Sequence, residues 1–188
     1  MRYFYFDNSF LLVYHRNMET KRLLLRKLSK SDAYDVYQNI FHDEKVLETF
    51  LGRYAATFDD FDFDGLLTFF EKMLFSYGIE LKGNHECIGI IFENQRHEDN
   101  IEIGYALSSK YWNLGYMSEA LKAVLYELME RNEGNVFSVA AFKENIGSWR
   151  VMEKCGMKYS HTVKNEIEWK GKSHDVVYYE MKKEISNV

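Results

Sequence analysis

The sequence contains no proline at all, so its turns and helix ends cannot be located by the residue that breaks regular structure most sharply. Boundaries have to be read from glycine, asparagine and changes of hydrophobic period. Only two cysteines occur, Cys87 and Cys155. They are too few for a disulfide scaffold and lack C-x-x-C spacing, which speaks against structural zinc and suits reduced thiols. A basic excess is missing too: 24 Lys and Arg against 29 Asp and Glu give a formal net charge of −5, so no global positive field draws the chain to nucleic acid or anionic lipid. Nor is there a long apolar run. Phe10 to Tyr14 is short, has no A-x-A-like cleavage site and is followed by His15 and Arg16, which argues against a signal peptide or a membrane span. His15, His42, His85, His97, His161 and His174 are scattered without the spacing of a metal pair. These absences point to a soluble, cytoplasmic protein with no metal, no nucleic-acid partner and no membrane partner.

The 188 residues, 46% of them apolar, are enough for one domain that buries about 70% of its unfolded surface. No internal repeat, low-complexity stretch or Gly/Ser linker interrupts it. Thr20 to Leu28 reads as a first strand, and Ser29 to Asp32 supplies capping residues for a helix carrying Ala33, Val36, Tyr37 and Ile40. A second helix is expected over Asp43 to Phe50. A third is expected from about Asp59 to Tyr77, with Thr57 as N-cap and Asp60 completing a capping box.

The period then changes. Ile79 to Leu81, a Lys82-Gly83-Asn84 turn and Cys87 to Phe92 form a hairpin, followed by a polar loop over residues 93–100 and a strand from Ile101 to Leu107. Met117, Ala120, Leu121, Val124, Leu125, Leu128 and Met129 line one helical face. Val136 to Phe142 reads as a buried strand, Ile146 to Lys154 as a helix closed by Gly156, and the tail as a long hairpin around Lys170-Gly171-Lys172. The fold class is therefore α+β with a mixed sheet.

The segment Tyr111 to Ala120 joins a strand to the amphipathic helix, so unpaired backbone N–H groups and the positive end of the helix dipole face whatever lies beyond the strand. Gly115 allows a positive φ and close approach of an anion. An ordinary strand-to-helix turn would use a glycine equally well. Neither G-x-x-x-x-G-K-[ST] nor G-x-G-x-x-G is present.

Here the sequence resembles the GCN5-related N-acetyltransferases, and within them the branch that acetylates the N-termini of ribosomal proteins and related amines. Trp112-Asn113-Leu114-Gly115-Tyr116-Met117 is similar to that branch's form of the acyl-CoA loop, although Trp112 departs from the Gln or Arg common at the first position. Glu102-Ile103-Gly104-Tyr105, Ser118-Glu119-Ala120-Leu121, Asn145-x-x-Ser148 and Glu153-Lys154-Cys155-Gly156-Met157 resemble further blocks of the branch in order. So do Glu19 to Arg26 and Gly171 to Tyr178. The likeness runs from about residue 18 to the C-terminus, which implies an acetyltransferase domain over 18–188 behind an N-terminal extension of residues 1–17.

The resemblance implies a mostly antiparallel sheet with splayed middle strands flanked by helices, and acetyl-CoA as co-substrate with an amine as acceptor. It carries cofactor binding to Tyr105, Ala106 and Leu107 along the pantetheine arm, to Asn113, Leu114, Gly115, Tyr116, Met117 and Ser118 at the pyrophosphate, and to Asn145 near the thioester. A helix cap is the plainer role for Asn145, and core packing for Leu107. The implied reaction is direct attack of a neutral amine on the thioester, which needs a base and donors for the oxyanion. Glu102 alternates with Ile101, Ile103 and Tyr105 and so faces away from them, as a cleft-lining base would. A solvated strand carboxylate is the simpler alternative. Other members protonate the thiolate with a tyrosine seven residues after the asparagine, a place held here by Met152; Ser148 is the remaining candidate.

For the acceptor, Asp59, Asp60, Asp62 and Asp64 among aromatics could form a negative rim for a peptide N-terminus, a polyamine or an aminoglycoside-like amine, or could simply offset a helix dipole. Phe58, Phe61, Phe69 and Phe70 are expected in the core. The aromatic tail hairpin could pair with a second copy. A non-catalytic acyl-CoA sensor or interaction module is the alternative reading.

Overall fold

The computed structural model describes residues 16–183. Met1 to His15, most of the N-terminal extension, lie outside the described residues. Among the described residues eight strands form one sheet: β1 (Met18–Glu19), β2 (Leu23–Arg26), β3 (Ser76–Leu81), β4 (Cys87–His97), β5 (Asn100–Leu107), β6 (Val136–Phe142), β7 (Lys158–Trp169) and β8 (Lys172–Lys182), in the order β1-β2-β3-β4-β5-β6-β8-β7. All pairs are antiparallel except β5 with β6, which are parallel.

Alternating side chains on this sheet make two cores. On one face Ile101, Ile103 and Phe137 pack with Leu121, Val124 and Leu125 of α4 (Tyr116–Glu130) and Met152 of α5 (Ile146–Lys154). On the other face Ile90, Phe92 and Ala106 pack beneath the helical region between β2 and β3. That region contains α1 (Ala33–Val36), a π-type turn Tyr37–Phe41, α2 (Glu44–Leu47) and α3 (Phe63–Phe70).

The expected α+β class, the strand Val136–Phe142 and the helix Ile146–Lys154 are all present, and Gly156 takes a φ of +87° behind that helix. The tail hairpin turns at Lys170 and Gly171, both with positive φ (+49° and +74°), as two-residue hairpin turns prefer.

Four expectations need correction. The helix over 59–77 is a 3₁₀ turn at Phe58–Asp60 followed by α3, which stops at Phe70; Ser76 and Tyr77 already belong to β3. Asp62 restarts the helix by accepting from the Gly65 N–H at 2.8 Å, and Phe75, Tyr77 and Ile79 alternate into the core, a strand period. The polar segment 93–100 is not a loop: β4 continues to His97, and only Glu98 and Asp99 turn. The side chains of Asn94 to His97 are exposed there, which suits their polarity. Phe58 and Phe69 are exposed, while Phe70 is buried. The first two helices are also shorter than expected, with Asp43 capping α2 by accepting from the Lys45 N–H at 3.1 Å.

Candidate active site

The parallel pairing of β5 and β6 covers only Asn100, Ile101 and Glu102 against Val136, Phe137 and Ser138. Beyond that point β6 pairs with β8 alone and β5 with β4 alone, so the facing edges of Ile103–Leu107 and Val139–Phe142 diverge. Between them opens a cavity of about 980 Å³. An unpaired strand edge inside a cleft offers its N–H and C=O groups to an extended ligand as another strand would.

The loop entering α4 forms one end of this cavity. Asn113 and Gly115 both have positive φ (+62° and +80°), which curls the chain so that the first-turn N–H groups of α4, lacking acceptors within the helix, face one way. Asn113, Gly115, Tyr116, Met117 and Ser118 line the cavity; Leu114 does not. Leu114 is exposed, and its role is on the far side, where its carbonyl accepts from Arg22 Nη1 at 2.9 Å. Trp112, the departure from the usual loop residue, donates from Nε1 to the carbonyl of Leu107 at 2.8 Å and so fixes the end of β5.

Residues to which the sequence assigned no role complete this end. Arg22 donates from Nε to Glu119 at 2.7 Å, and its backbone N–H reaches the same carboxylate at 2.9 Å. Burial works to raise the Glu119 carboxyl, but hydrogen bonds from Thr20 and Arg22 outweigh it and hold the group below the ordinary carboxylate range. Arg150 and Lys154, one turn apart on α5, line the cavity and are its cations on that side. Tyr111 donates to Glu86 at 2.6 Å, tying the loop to the β3–β4 turn.

Where the strands part, the structure brings Glu102, Tyr105, Ala106, Leu107, Asn145 and Ser148 to one wall or another of the same cavity. Glu102 lies on the face opposite Ile101 and Ile103, and its carboxylate accepts from Asn94 Nδ2 at 2.6 Å. Asn145 caps α5, its Oδ1 accepting from the Ser148 N–H at 3.1 Å, while its Nδ2 donates to Thr49 Oγ1 at 3.0 Å. The Tyr105 hydroxyl sits 2.9 Å from Ser148 Oγ. Met152 is fully buried in the core and presents nothing to the cavity.

The cavity lining also includes Glu48, Glu144 and Glu166, together with Lys45, and a neighbouring cavity of about 300 Å³ shares Glu102 and Glu166 and adds Glu180. Glu166 accepts from the Tyr178 hydroxyl at 2.7 Å, a neutral donor like that on Glu102. Asp59, Asp60, Asp62 and Asp64 are not on either wall. Asp60 caps Thr57, Asp62 caps α3 and Asp64 meets Lys30 at 3.4 Å in solvent, so their work is local. Cys87 and Cys155 are buried, and burial pushes their thiols up to about 12 and about 11. Neither is poised as a nucleophile. Among the described residues no helix is long and apolar enough to cross a membrane.

Comparison with known proteins agrees with this geometry. The N-acetyltransferase YnaD of Bacillus subtilis strain 168 is 30% identical over 183 residues, covering 91% of this chain and 99% of its own. The crystal structure of a GNAT-family acetyltransferase from Bacillus anthracis matches with a TM-score of 0.77 at 27% identity, over 89% of this chain and 99% of that one. The fold is also shared, at 18% identity and a TM-score of 0.76 over 89% and 98% of the chains, with RimL, a ribosomal L7/L12 alpha-N-protein acetyltransferase in complex with coenzyme A. The family model for the acetyltransferase (GNAT) domain matches residues 22–158, and the chain belongs to that family.

Proposed function

We propose that the protein is an acetyl-CoA-dependent N-acetyltransferase acting on a primary amine by direct attack in a ternary complex. The observation that carries this reading is the parting of β5 from β6 after three paired residues, which leaves a strand edge free beside an anion-binding helix start. A long ligand with a polyanionic end and an amide-bearing arm fits that combination. The edge bonds the arm, and the loop 113–118 with Arg150 and Lys154 holds the phosphates. Acetyl-CoA supplies an activated acetyl thioester.

The chain's own residues supply the rest. Glu102 takes the proton that the attacking amine must lose, from a place where a neutral amide is its hydrogen-bond partner and, among the described residues, no cation is paired with it. Ser148, half-buried on α5, offers a hydroxyl to the sulfur in place of the phenol that Met152 cannot provide. The carboxylates of Glu48, Glu144 and Glu166 favour a cationic amine approaching through this mouth, a chemistry shared by a peptide N-terminus and small amines. Trp169, donating from Nε1 to the Leu47 carbonyl at 3.2 Å, clasps the tail hairpin to α2 across that mouth.

The test is release of free coenzyme A from acetyl-CoA on incubation with a panel of peptides and small amines, paired with calorimetric titration of coenzyme A. Saturable binding with no turnover on any amine would favour a sensor over an enzyme. Absence of binding would remove the reading altogether.

A further inference from the structure

Position 152, seven residues beyond Asn145, carries a methionine whose side chain is wholly inside the core. Ser148 is one helical turn before it, on the same stripe of α5. A second hydroxyl reaches Ser148 from the sheet rather than from the helix. The Tyr105 phenol lies 2.9 Å from Ser148 Oγ and donates to the Ser148 backbone carbonyl at 3.1 Å. Both side chains line the cavity, on β5 and on α5 respectively, at the place where β5 has left β6.

A phenol has one proton and a carbonyl can only accept, so the pair has two arrangements. In one, Tyr105 donates to the carbonyl, and Ser148 spends its own proton on the phenol oxygen. In the other, the Tyr105 proton swings to Ser148 Oγ, and the Ser148 O–H is released toward the cavity. Only the second makes Ser148 a donor to a ligand. Concerted rotation of the two O–H bonds interconverts them without moving a heavy atom.

We infer that Tyr105 is a positioning residue for acyl transfer: its hydroxyl turns the Ser148 O–H toward the departing sulfur as charge develops there. The inference rests on the acetyltransferase reading above and adds to it the group that governs the serine. The C–N bond forms and the C–S bond breaks with its electron pair passing to sulfur. The amine proton goes to Glu102, and the thiolate leaves hydrogen-bonded to Ser148, taking its proton from water. No proton leaves Tyr105. Burial pushes this phenol well above its ordinary value of 10, whereas a thiol titrates near ~8.5, so complete transfer from phenol to thiolate would run uphill. Hydrogen bonding to a charge that appears only during reaction is the kind of contact that raises kcat and leaves ground-state binding alone.

The experiment is a double-mutant cycle of Tyr105→Phe and Ser148→Ala, read as kcat, KM for acetyl-CoA and affinity for coenzyme A. Each single variant is expected to lower kcat by roughly tenfold to a hundredfold, with KM for acetyl-CoA changed by less than about twofold. In the Ser148→Ala background, adding Tyr105→Phe is expected to change nothing further. A merely structural tyrosine keeps its bond to the Ser148 carbonyl in that background, so a further loss there would overturn the inference. Full kcat in Ser148→Ala with a loss in Tyr105→Phe would make the tyrosine itself the donor and overturn it too. Should Tyr105→Phe fail to fold, Ser148→Ala alone decides, since an unchanged kcat removes the serine that the tyrosine is said to direct. Lack of turnover by the unmodified protein would instead be a failure of the acetyltransferase reading.

Discussion

The guanidinium carbon of Arg22 lies 4.1 Å from the centroid of the Tyr116 ring, joining the residue just before β2 to the first residue of α4. The same group bonds Glu119 and the Leu114 carbonyl, so it grips the curled loop from behind, at three points, while the loop's other side lines the cavity. A cation at a helix start is unfavourable by itself, and Glu119 in the first turn offsets it.

Replacing Arg22 with methionine keeps the stem but removes the fork. The expected result is a rise of roughly tenfold in KM for acetyl-CoA, equivalent to about 1.4 kcal/mol, with kcat and the acceptor KM little changed. Steady-state kinetics with each substrate varied in turn checks this. An equal loss in both KM values would mean that the fold, rather than the loop, had been disturbed.

Glu102→Gln keeps the shape and the contact with Asn94 but cannot take a proton. The expected loss in kcat is about 10²-fold to 10⁴-fold near neutral pH, where the amine reaches the site charged. As the pH rises and the amine arrives neutral, the gap to the unmodified enzyme should narrow. A parallel pH–rate profile in the two proteins would take Glu102 out of the mechanism.

Much of this frame is legible in the sequence, and the reasons are local. Ile146–Lys154 has a capping asparagine at one end and glycine beyond the other, and Val136–Phe142 is a short apolar run between turn signals. The stretch from Phe61 to Tyr77 was misleading because its aromatics satisfy a helical period up to Phe70 and an alternating one from Phe75, with no proline to mark the change. The far end of β4 looked like a loop because it is polar, yet backbone pairing with β5 needs no apolar side chains. The pairing of Arg22 with Glu119 spans 97 residues and has no signature in a single sequence. The same holds for Tyr105 with Ser148. Periodicity reveals which face a residue occupies, and long-range partners depend on how the faces are assembled.

Arg150 and Lys154 are exposed on the cavity side of α5, where cations would meet the phosphates of the cofactor. Neutralising both to glutamine is expected to raise KM for acetyl-CoA several-fold at low ionic strength. At about 1 M salt, where the screening length falls to ~3 Å, the difference should largely vanish. A salt-independent difference would point to packing instead of charge. Thermal melting without ligand should be unchanged, because neither side chain is part of a core.

Arg26 tests the fold beneath the site. Its two terminal nitrogens meet both oxygens of Asp32, at 2.6 and 2.8 Å, and its Nε meets Glu80. Both carboxylates are buried, at 3% and 5% exposure, and the guanidinium is the one fixed cation that bonds both, so a large part of the compensation for their desolvation goes with it. Burial acts to raise both carboxyls, but the hydrogen bonds to Arg26, with those from Ser29 and His85, hold them below their ordinary values of 3.8 and 4.5. A depressed folded-state pKa means stability that is complete above the ordinary value and lost as the pH falls through the folded one. The unmodified protein should therefore lose stability on acidification below about pH 4.5. Arg26→Met strands two buried charges and should cost about 3–5 kcal/mol at pH 7. Burial then pushes its carboxyls upward against only the remaining bonds from Ser29 and His85, so acid neutralises them more readily and restores part of what was lost. Urea denaturation at pH 7 and pH 4 should show the two proteins converging at the lower pH, and a constant difference would mean that the network's worth lies in packing rather than charge.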